Sequence, residues 1–460
     1  MANFSGINLN NITAAGSENK IMYSLNNKSA SMPKYKLYKD SGIDWLGIIP
    51  NDWDVKRFKF LLKEINIRSK TGGELLLSLS KYKGVVPKNS LEEKSGTAES
   101  LVGYKKVFVN DLVINKMQAV NGLFAISKLE GITSPDYSVY RPLNNNSLDV
   151  RYLGYMLSIP EYLGEFKRRV TGVMEGFIRL YTDDLYSIYS ILPPIDQQSL
   201  IANFLDKKTA QIDEAIVIKE QEINLLKERK KIIIQKAVTQ GLDPNVSMKS
   251  TGVDWICKIP EHWEMKRVKY IFRMVMEPSE KNNDHELLSV YTDIGVKPRR
   301  ELEERGNKAS TTDGYWLVKK GDIVVNKLLA WMGAIGLSEY DGVTSPAYDI
   351  LRPQLPINSY FYHYLFRSEL CSAELKRHSR GIMDMRLRLY FDKFGVVEVP
   401  YPPENEQHEI VRSLGVQIKE SDKVIEQLIV QIESLKEYKT TLINSAVTGK
   451  IKITPEMVER

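Results

Sequence analysis

The sequence predicts a duplicated fold. Two mixed α/β (α+β) globular domains alternate with two long α-helices, and the helices pair as an antiparallel coiled coil. Three observations predict it. The chain repeats itself at an offset that stays at 209–211 residues. Each repeat opens with short β-rich runs, turn signals and helical patches. Each repeat ends in apolar residues spaced seven apart.

The repeat is read from matched segments. DSGIDWLGIIPNDWDVKR at 40–57 returns as STGVDWICKIPEHWEMKR at 250–267. GYKKVFVNDLVINK at 103–116 returns as GYWLVKKGDIVVNK at 314–327, and EGITSPDYSVYRP at 130–142 as DGVTSPAYDILRP at 341–353. RLYTDDLYSIYSILPPIDQQ at 179–198 returns as RLYFDKFGVVEVPYPPENEQ at 388–407. A period this long describes a duplicated domain pair; solenoid repeats have periods of roughly 20–50 residues.

In chain order, residues 1–31 are Asn/Ser-rich with little apolar pattern and are expected to be a disordered leader, an upstream extension before the start-like Met32. The first globular domain is expected over 32–194. Within it DLVIN follows the turn signal Asn110-Asp111, as DIVVN follows Gly321-Asp322 in the repeat. The first long helix is expected over 195–241, entered from Pro193-Pro194 with Asp196 near its positive end and stopped by Gly241 and Pro244. Its seven-residue track runs through Leu205, Ile212, Leu226 and Ile233, with Ile216 and Ile223 on the companion track and Lys219 and Lys230 interrupting. At 1.5 Å per residue its coiled-coil part would be roughly 50 Å long. The second domain is expected over 242–403 and the second helix over 404–450, entered from Pro402-Pro403. Val411, Ile418, Ile425 and Ile432 share one track there, Leu414, Leu428, Leu435 and Leu442 the other, broken only by Ser421. Residues 451–460 form a tail. Pairing the helices antiparallel would set the domains at opposite ends of a rigid spacer; the alternative is that each helix packs only on its own domain.

Composition narrows the function. Cys257 and Cys371 cannot build a disulfide framework or a Cys-rich zinc site, and they fit a reducing, cytoplasmic setting. The N-terminus lacks the pattern of a secretory signal, and no apolar run is long enough for a membrane span. There is no GxxxxGK[ST] phosphate loop. His285-Glu286 and His408-Glu409 begin a zinc-type HExxH but lack its second His. Pro135-Asp136 and Glu228-Arg229-Lys230 match nuclease letters, yet the second falls in the predicted coiled coil. The Pro-Pro pairs lack the Asn/Asp and aromatic of base-modifying methyltransferases. No catalytic residue and no metal site is expected, so the chain is read as a binder.

The net charge of +6 is small, and the positive charge is clustered. KRHSRGIMDMRLRLYFDK at 376–393 and KRRVTGVMEGFIRLYTDD at 167–184 each carry a glycine (Gly381, Gly172) between basic residues and a closing Arg-Leu-Tyr. A glycine loop flanked by Arg and an aromatic suits phosphate contact and base-edge reading, because the guanidinium fork bonds guanine bidentately. The DNA-binding candidates are therefore Lys167, Arg168, Arg169, Arg179 and Tyr181 in the first copy, and Lys376, Arg377, Arg380, Arg386, Arg388 and Tyr390 in the second. The repeated pairs Asn115-Lys116 and Asn326-Lys327, and Arg141 and Arg352 after the Thr-Ser-Pro loops, join them. A duplicated binder predicts a bipartite target in double-stranded DNA, asymmetric because the copies differ. Trp45, Trp53, Trp255 and Trp263 are expected to pack the domain entrances.

GIDWLGIIPNDWDVKR and GVDWICKIPEHWEMKR, the Pro-Pro-x-x-x-Gln helix entrances and the AVT helix ends (Ala237–Thr239, Ala446–Thr448) resemble the specificity subunit of type I restriction-modification enzymes, from Met32 onward in both copies. The resemblance implies two target-recognition domains, two central coiled-coil regions and no catalytic residue in the subunit itself. It implies two methyltransferase subunits that methylate adenine with S-adenosylmethionine, and restriction subunits that translocate and cut DNA with ATP and Mg2+; this chain would hold none of these cofactors. The competing readings are a self-contained methyltransferase or nuclease, and a coiled-coil adaptor that never touches DNA.

Overall fold

The structure is a computed structural model that describes residues 32–81, 83–91, 100–144, 146–171, 178–301, 311–382 and 386–459. The expected leader 1–31 lies outside the described residues. The chain divides into two compact units. Residues 32–219 with 430–459 make one, and 220–429 make the other. Neither unit is a single stretch of sequence, because the division falls inside both long helices.

Each unit is built on the same antiparallel four-stranded sheet. In the first the order is Leu62–Glu64, Tyr137–Pro142, Leu112–Asn115, Phe124–Ile126. In the second it is Phe272–Val275, Tyr348–Pro353, Ile323–Asn326, Ile335–Leu337. The central strands LVIN and IVVN are buried along their whole length, as expected where both faces are covered. One face packs the main core. The other packs a smaller cluster formed around the hairpin Leu77–Ser80/Gly84–Pro87, or Leu288–Tyr291/Gly295–Pro298 in the second unit. The chain enters the central strand through a tight turn, which Asn110 (φ 71°) makes in one copy and Gly321 (φ 98°) in the other.

The long helices run Ile195–Gln240 and Glu404–Val447. The repeated Pro-Pro-x-x-x-Gln has a physical reason. Gln198 is fully buried; its amide donates to the Pro193 carbonyl (2.7 Å) and the Ser147 carbonyl (3.2 Å), and its Oε1 accepts the Asp149 N–H (3.0 Å). Gln407 repeats this with the Pro402 carbonyl (2.9 Å) and the Asn358 N–H (3.0 Å). One side chain thus satisfies the proline-rich entrance and ties it to the start of the Val150–Leu157 or Ser359–Phe366 helix. Trp53 and Trp263 are fully buried, and their indole N–H donates to Gln197 and Glu406 in the same helix turn, at 2.9 Å in both copies. Trp255 is buried as well and Trp45 packs partly buried on the core, so the tryptophans pack the domain entrances.

Within each unit the two helix segments run antiparallel. In the first unit Asp213 meets Lys439 (2.7 Å) and Lys219 meets Gln431 (2.6 Å), so partners descend as the chain ascends. In the second, Lys230 meets Asp422 at 2.6 Å. The two lysines that interrupt the seven-residue track each reach a polar group on the opposite helix. Leu205, Ile212 and Leu442 join the first main core, and Ala237, Val238, Ile410 and Leu414 the second. Gly241 (φ 76°) and Gly449 (φ 73°) follow the helices in the left-handed conformation that ends them. No helix among the described residues is long and apolar enough to cross a membrane.

Candidate nucleic-acid interface

In each unit three segments far apart in sequence meet at one end of the sheet. The central strand ends at Asn115, whose buried Oδ1 accepts the N–H of Met117 (3.1 Å) and Gln118 (3.2 Å) and folds the chain into the short turn Ala119–Asn121. Asn326 does the same for Leu328 (3.1 Å) ahead of Ala330–Met332. The next residue in each copy is the lysine, and its carbonyl accepts the N–H of the closing Arg-Leu-Tyr leucine: Leu180 to Lys116 at 3.0 Å, Leu389 to Lys327 at 2.8 Å. The Arg of that triplet closes a loop by backbone pairing. Thr171 and Arg179 exchange bonds of 3.2 and 3.0 Å, and Arg380 and Arg388 exchange two of 2.9 Å. Gly172 lies outside the described residues.

A helix feeds each loop from its basic end. Pro160–Arg169 starts with Pro160, suited to a first helical position, and ends in Lys167, Arg168 and Arg169. Glu369–His378 is capped by the Ser368 hydroxyl and ends in Lys376, Arg377 and His378. Cations at a helix C-terminus complement its dipole. Here a buried carboxylate also gathers them. Glu165 pairs with Arg168 and with Arg169 (3.0 Å), and Glu374 with Arg377 (3.1 Å) and His378 (3.0 Å). Arg169 also donates to the Ser187 hydroxyl at 3.1 Å.

The predicted residues thus divide by what their side chains already hold. Arg141 and Arg352 each fork onto a buried aspartate: Arg141 on Asp111 at 2.7 and 2.9 Å, Arg352 on Asp322 at 2.9 Å twice and on Glu277 at 3.0 Å. These bonds push both guanidinium pKa values above their ordinary level. Both arginines fasten neighbouring strands, and the Arg141 side chain keeps 38% of its surface exposed. Asn115 and Asn326 are likewise turn-formers with their carbonyl oxygens committed. Lys327 holds Asp349 (3.2 Å) and the Pro346 carbonyl (3.1 Å), whereas Lys116 is half-buried. Lys376 stacks on Trp331, 4.6 Å from the ring centre. Arg380 stands 4.0 Å from Asp392. Lys167, Arg386 and Arg388 are exposed and make no ion pair among the described residues; Arg179 is half-buried and makes none either. Tyr181 and Tyr390 are exposed beside them.

Of the buried partners, Asp111 and Asp322 were read in the sequence only as parts of turn signals, and Glu165 and Glu374 were not singled out. The two glutamates had a signal: an acid three and four residues before a basic cluster, repeated in both copies. Among the described residues no group of His, Cys, Asp or Glu could hold a metal ion. Each site offers cations, an aromatic and a short backbone-paired loop.

The family described as the type I restriction modification DNA specificity domain matches residues 260–434. The type I restriction enzyme EcoBI specificity subunit of Escherichia coli is 24% identical over 316 residues, 64% of this chain and 64% of that protein's length. The putative type I restriction enzyme MjaX specificity subunit of Methanocaldococcus jannaschii is 21% identical over 431 residues, 89% of this chain and 96% of that one. A chain from a structural study of complex assembly and conformational transition of the type I R-M system shares the fold with a TM-score of 0.65 at 14% identity, covering 87% of this chain and 98% of its own. The HsdS subunit from Thermoanaerobacter tengcongensis does so with a TM-score of 0.52 at 13% identity, covering 88% and 98%. The chain is thus similar over most of its length to type I restriction enzyme specificity subunits, and its residues 260–434 match the DNA specificity domain of that family.

Proposed function

We propose that the chain reads a bipartite, asymmetric sequence in double-stranded DNA through its two recognition domains and assembles two methyltransferase subunits and the restriction subunits around it. Specificity subunits are the non-catalytic components of type I complexes. S-adenosylmethionine, ATP and Mg2+ would be used by the partners, in the cytoplasm, and adenine would be flipped into the methyltransferase. The observation that carries the reading is the repeated meeting of a backbone-closed Arg loop, a basic helix end and an exposed tyrosine at one end of each sheet. Cations there would clamp phosphates, and Arg179, Arg386 and Arg388 would reach base edges. Because the loops differ between copies, the two half-sites differ. The long helices would form an antiparallel coiled coil whose outer face receives partners. Leu225 and Ile232, seven residues apart, are 70% and 63% exposed, an apolar stripe turned away from the helix pair.

The test is to map methylated adenines in a host that carries this chain and the methyltransferase of its system. Two short, unlike half-sites separated by an unread spacer are expected. A single continuous site, or methylation by the purified chain alone, would overturn the reading. Binding should weaken steeply as salt is raised; a chain with no affinity for DNA would be an adaptor instead.

A further inference from the structure

The duplication sorts surface residues by role. An element that reads unlike half-sites must keep its frame in both copies and change the side chains it presents. The turn after each central strand does this. Gln118 and Asn121 stand on it in the first copy, and Leu329 and Met332 take their places in the second. All four are exposed.

The frame repeats bond for bond. The Gln118 N–H donates to the Asn115 carbonyl at 3.1 Å, the Asn121 N–H to the Gln118 carbonyl at 3.0 Å and the Gly122 N–H to the Ala119 carbonyl at 2.9 Å. In the second copy Leu329 donates to Asn326 at 3.1 Å, Met332 to Leu329 at 2.9 Å and Gly333 to Ala330 at 3.0 Å. Gly122 (φ 80°) and Gly333 (φ 95°) both close the turn in the left-handed conformation. The second turn is braced further. The Trp331 indole N–H donates to the Leu328 carbonyl at 3.1 Å, and Arg367 donates to the Gly333 carbonyl at 2.7 Å. Each turn starts directly after the lysine whose carbonyl holds the closing Arg-Leu-Tyr. It therefore lies at the same end of the sheet as the cationic loop.

What the two turns present is opposite in chemistry. Asn121 Nδ2 donates to Gln118 Oε1 at 2.7 Å, which locks the two amides together and leaves the Asn121 Oδ1 acceptor and the Gln118 Nε2 donor for another partner. An acceptor beside a donor matches N6 and N7 of adenine in the major groove. Leu329 and Met332, 40% and 52% exposed, offer no hydrogen-bonding nitrogen or oxygen, and Leu328 beside them is 38% exposed. A single exposed leucine is ordinary. Three apolar side chains on one braced turn, with Lys376 stacked on its Trp331, match the one apolar feature of a base edge, the thymine methyl. We propose that this turn is a base-reading element in both domains: Gln118 and Asn121 read an adenine in one half-site, and Leu329 and Met332 contact a thymine methyl in the other. This rests on the functional reading above and adds which base feature each turn selects.

The experiment uses the full chain with the methyltransferase of its system and labelled duplexes carrying the site found by methylation mapping. Each thymine is replaced in turn by uracil, which lacks only the methyl, and each adenine by 7-deazaadenine, which carries a C–H in place of the N7 acceptor. Anisotropy titrations compare the wild type with Leu329→Gln/Met332→Asn and with Gln118→Leu/Asn121→Met. In the wild type one uracil in one half-site is expected to weaken binding about fourfold, the worth of one buried methyl group. One 7-deazaadenine in the other half-site should weaken it about tenfold. The first variant should lose the uracil effect alone, and the second the 7-deazaadenine effect alone. A wild type indifferent to every uracil, or to every 7-deazaadenine, would overturn the proposal, and that result depends on no variant folding. So would either effect persisting in the variant built to remove it. A wild-type complex that binds no duplex specifically would instead undo the functional reading itself.

Discussion

Arg141 shows what one side chain's partner does to its role. From the sequence it is an arginine after a Thr-Ser-Pro loop, a plausible phosphate ligand. In the fold its guanidinium closes on Asp111, which has no exposed surface, and stacks on Phe108 at 4.8 Å. Arg141→Ala would strand a buried carboxylate, so the first domain should lose about 3 kcal/mol of stability. Thermal melts should register that loss, while duplex affinity of the remaining folded protein stays within a factor of about two. An unchanged melt with lost affinity would return Arg141 to the DNA-binding set. His363 carries a second residue-level prediction. It is buried beside Arg367, accepts the Leu337 N–H at Nδ1 (3.2 Å), and burial followed by that arginine depresses its pKa to about 3. The unfolded chain therefore binds a proton near pH 6.5 that the folded domain refuses until about pH 3. Stability from this group is complete above pH 6.5 and declines as pH falls through that window, by up to about 1.4 kcal/mol per pH unit. The first copy has Gly154 at the matching position, so the acid sensitivity belongs to the second domain. His363→Gln should flatten the second domain's stability between pH 6 and 4 in denaturant titrations.

At the scale of elements, legibility followed sequence distance. The long helices could be read because their signals are local: a proline entrance, seven-residue spacing and a glycine stop. The sheet order could not, since Leu62–Glu64 pairs with Tyr137–Pro142 across about 80 residues and no periodicity names a partner. The candidate site was legible in part for the same reason. The basic clusters and the Arg-Leu-Tyr repeats stand out as letters. That Asn115 and Asn326 spend their carbonyls on a turn, and that Arg141 and Arg352 belong to aspartates 30 residues away, are decided by tertiary pairing. Lys219 looked like a flaw in a heptad track and turns out to hold Gln431 at 2.6 Å. Polar residues at such positions select register at a cost in stability. Lys219→Leu should therefore raise the melting stability by up to about 1 kcal/mol and loosen pairing specificity. Cysteine crosslinking at Asp213 and Lys439 would report the register. A destabilised helix pair that keeps its register would refute that role.

For the whole molecule, duplication lets two units carry separate instructions on one framework. Each unit has its own main core, and each core closes on both long helices. Tyr152 in the first domain donates to the Val447 carbonyl (3.2 Å) near the end of the second helix, and Tyr38 to that of Gly449 (3.1 Å). A globular domain can therefore be exchanged provided the replacement keeps the surfaces that meet these helices: the buried tryptophan, the tyrosine equivalent to Tyr152 and the Pro-Pro-x-x-x-Gln entrance. Thr171 and Arg179 pair through their backbone groups, and the Leu180 N–H is held by the Lys116 carbonyl. Replacing residues 32–190 with the first recognition domain of another specificity subunit should give a folded chain that still recruits methyltransferase. Methylation mapping should then show one half-site changed and the other intact. A change in both half-sites would mean the two units do not read DNA independently.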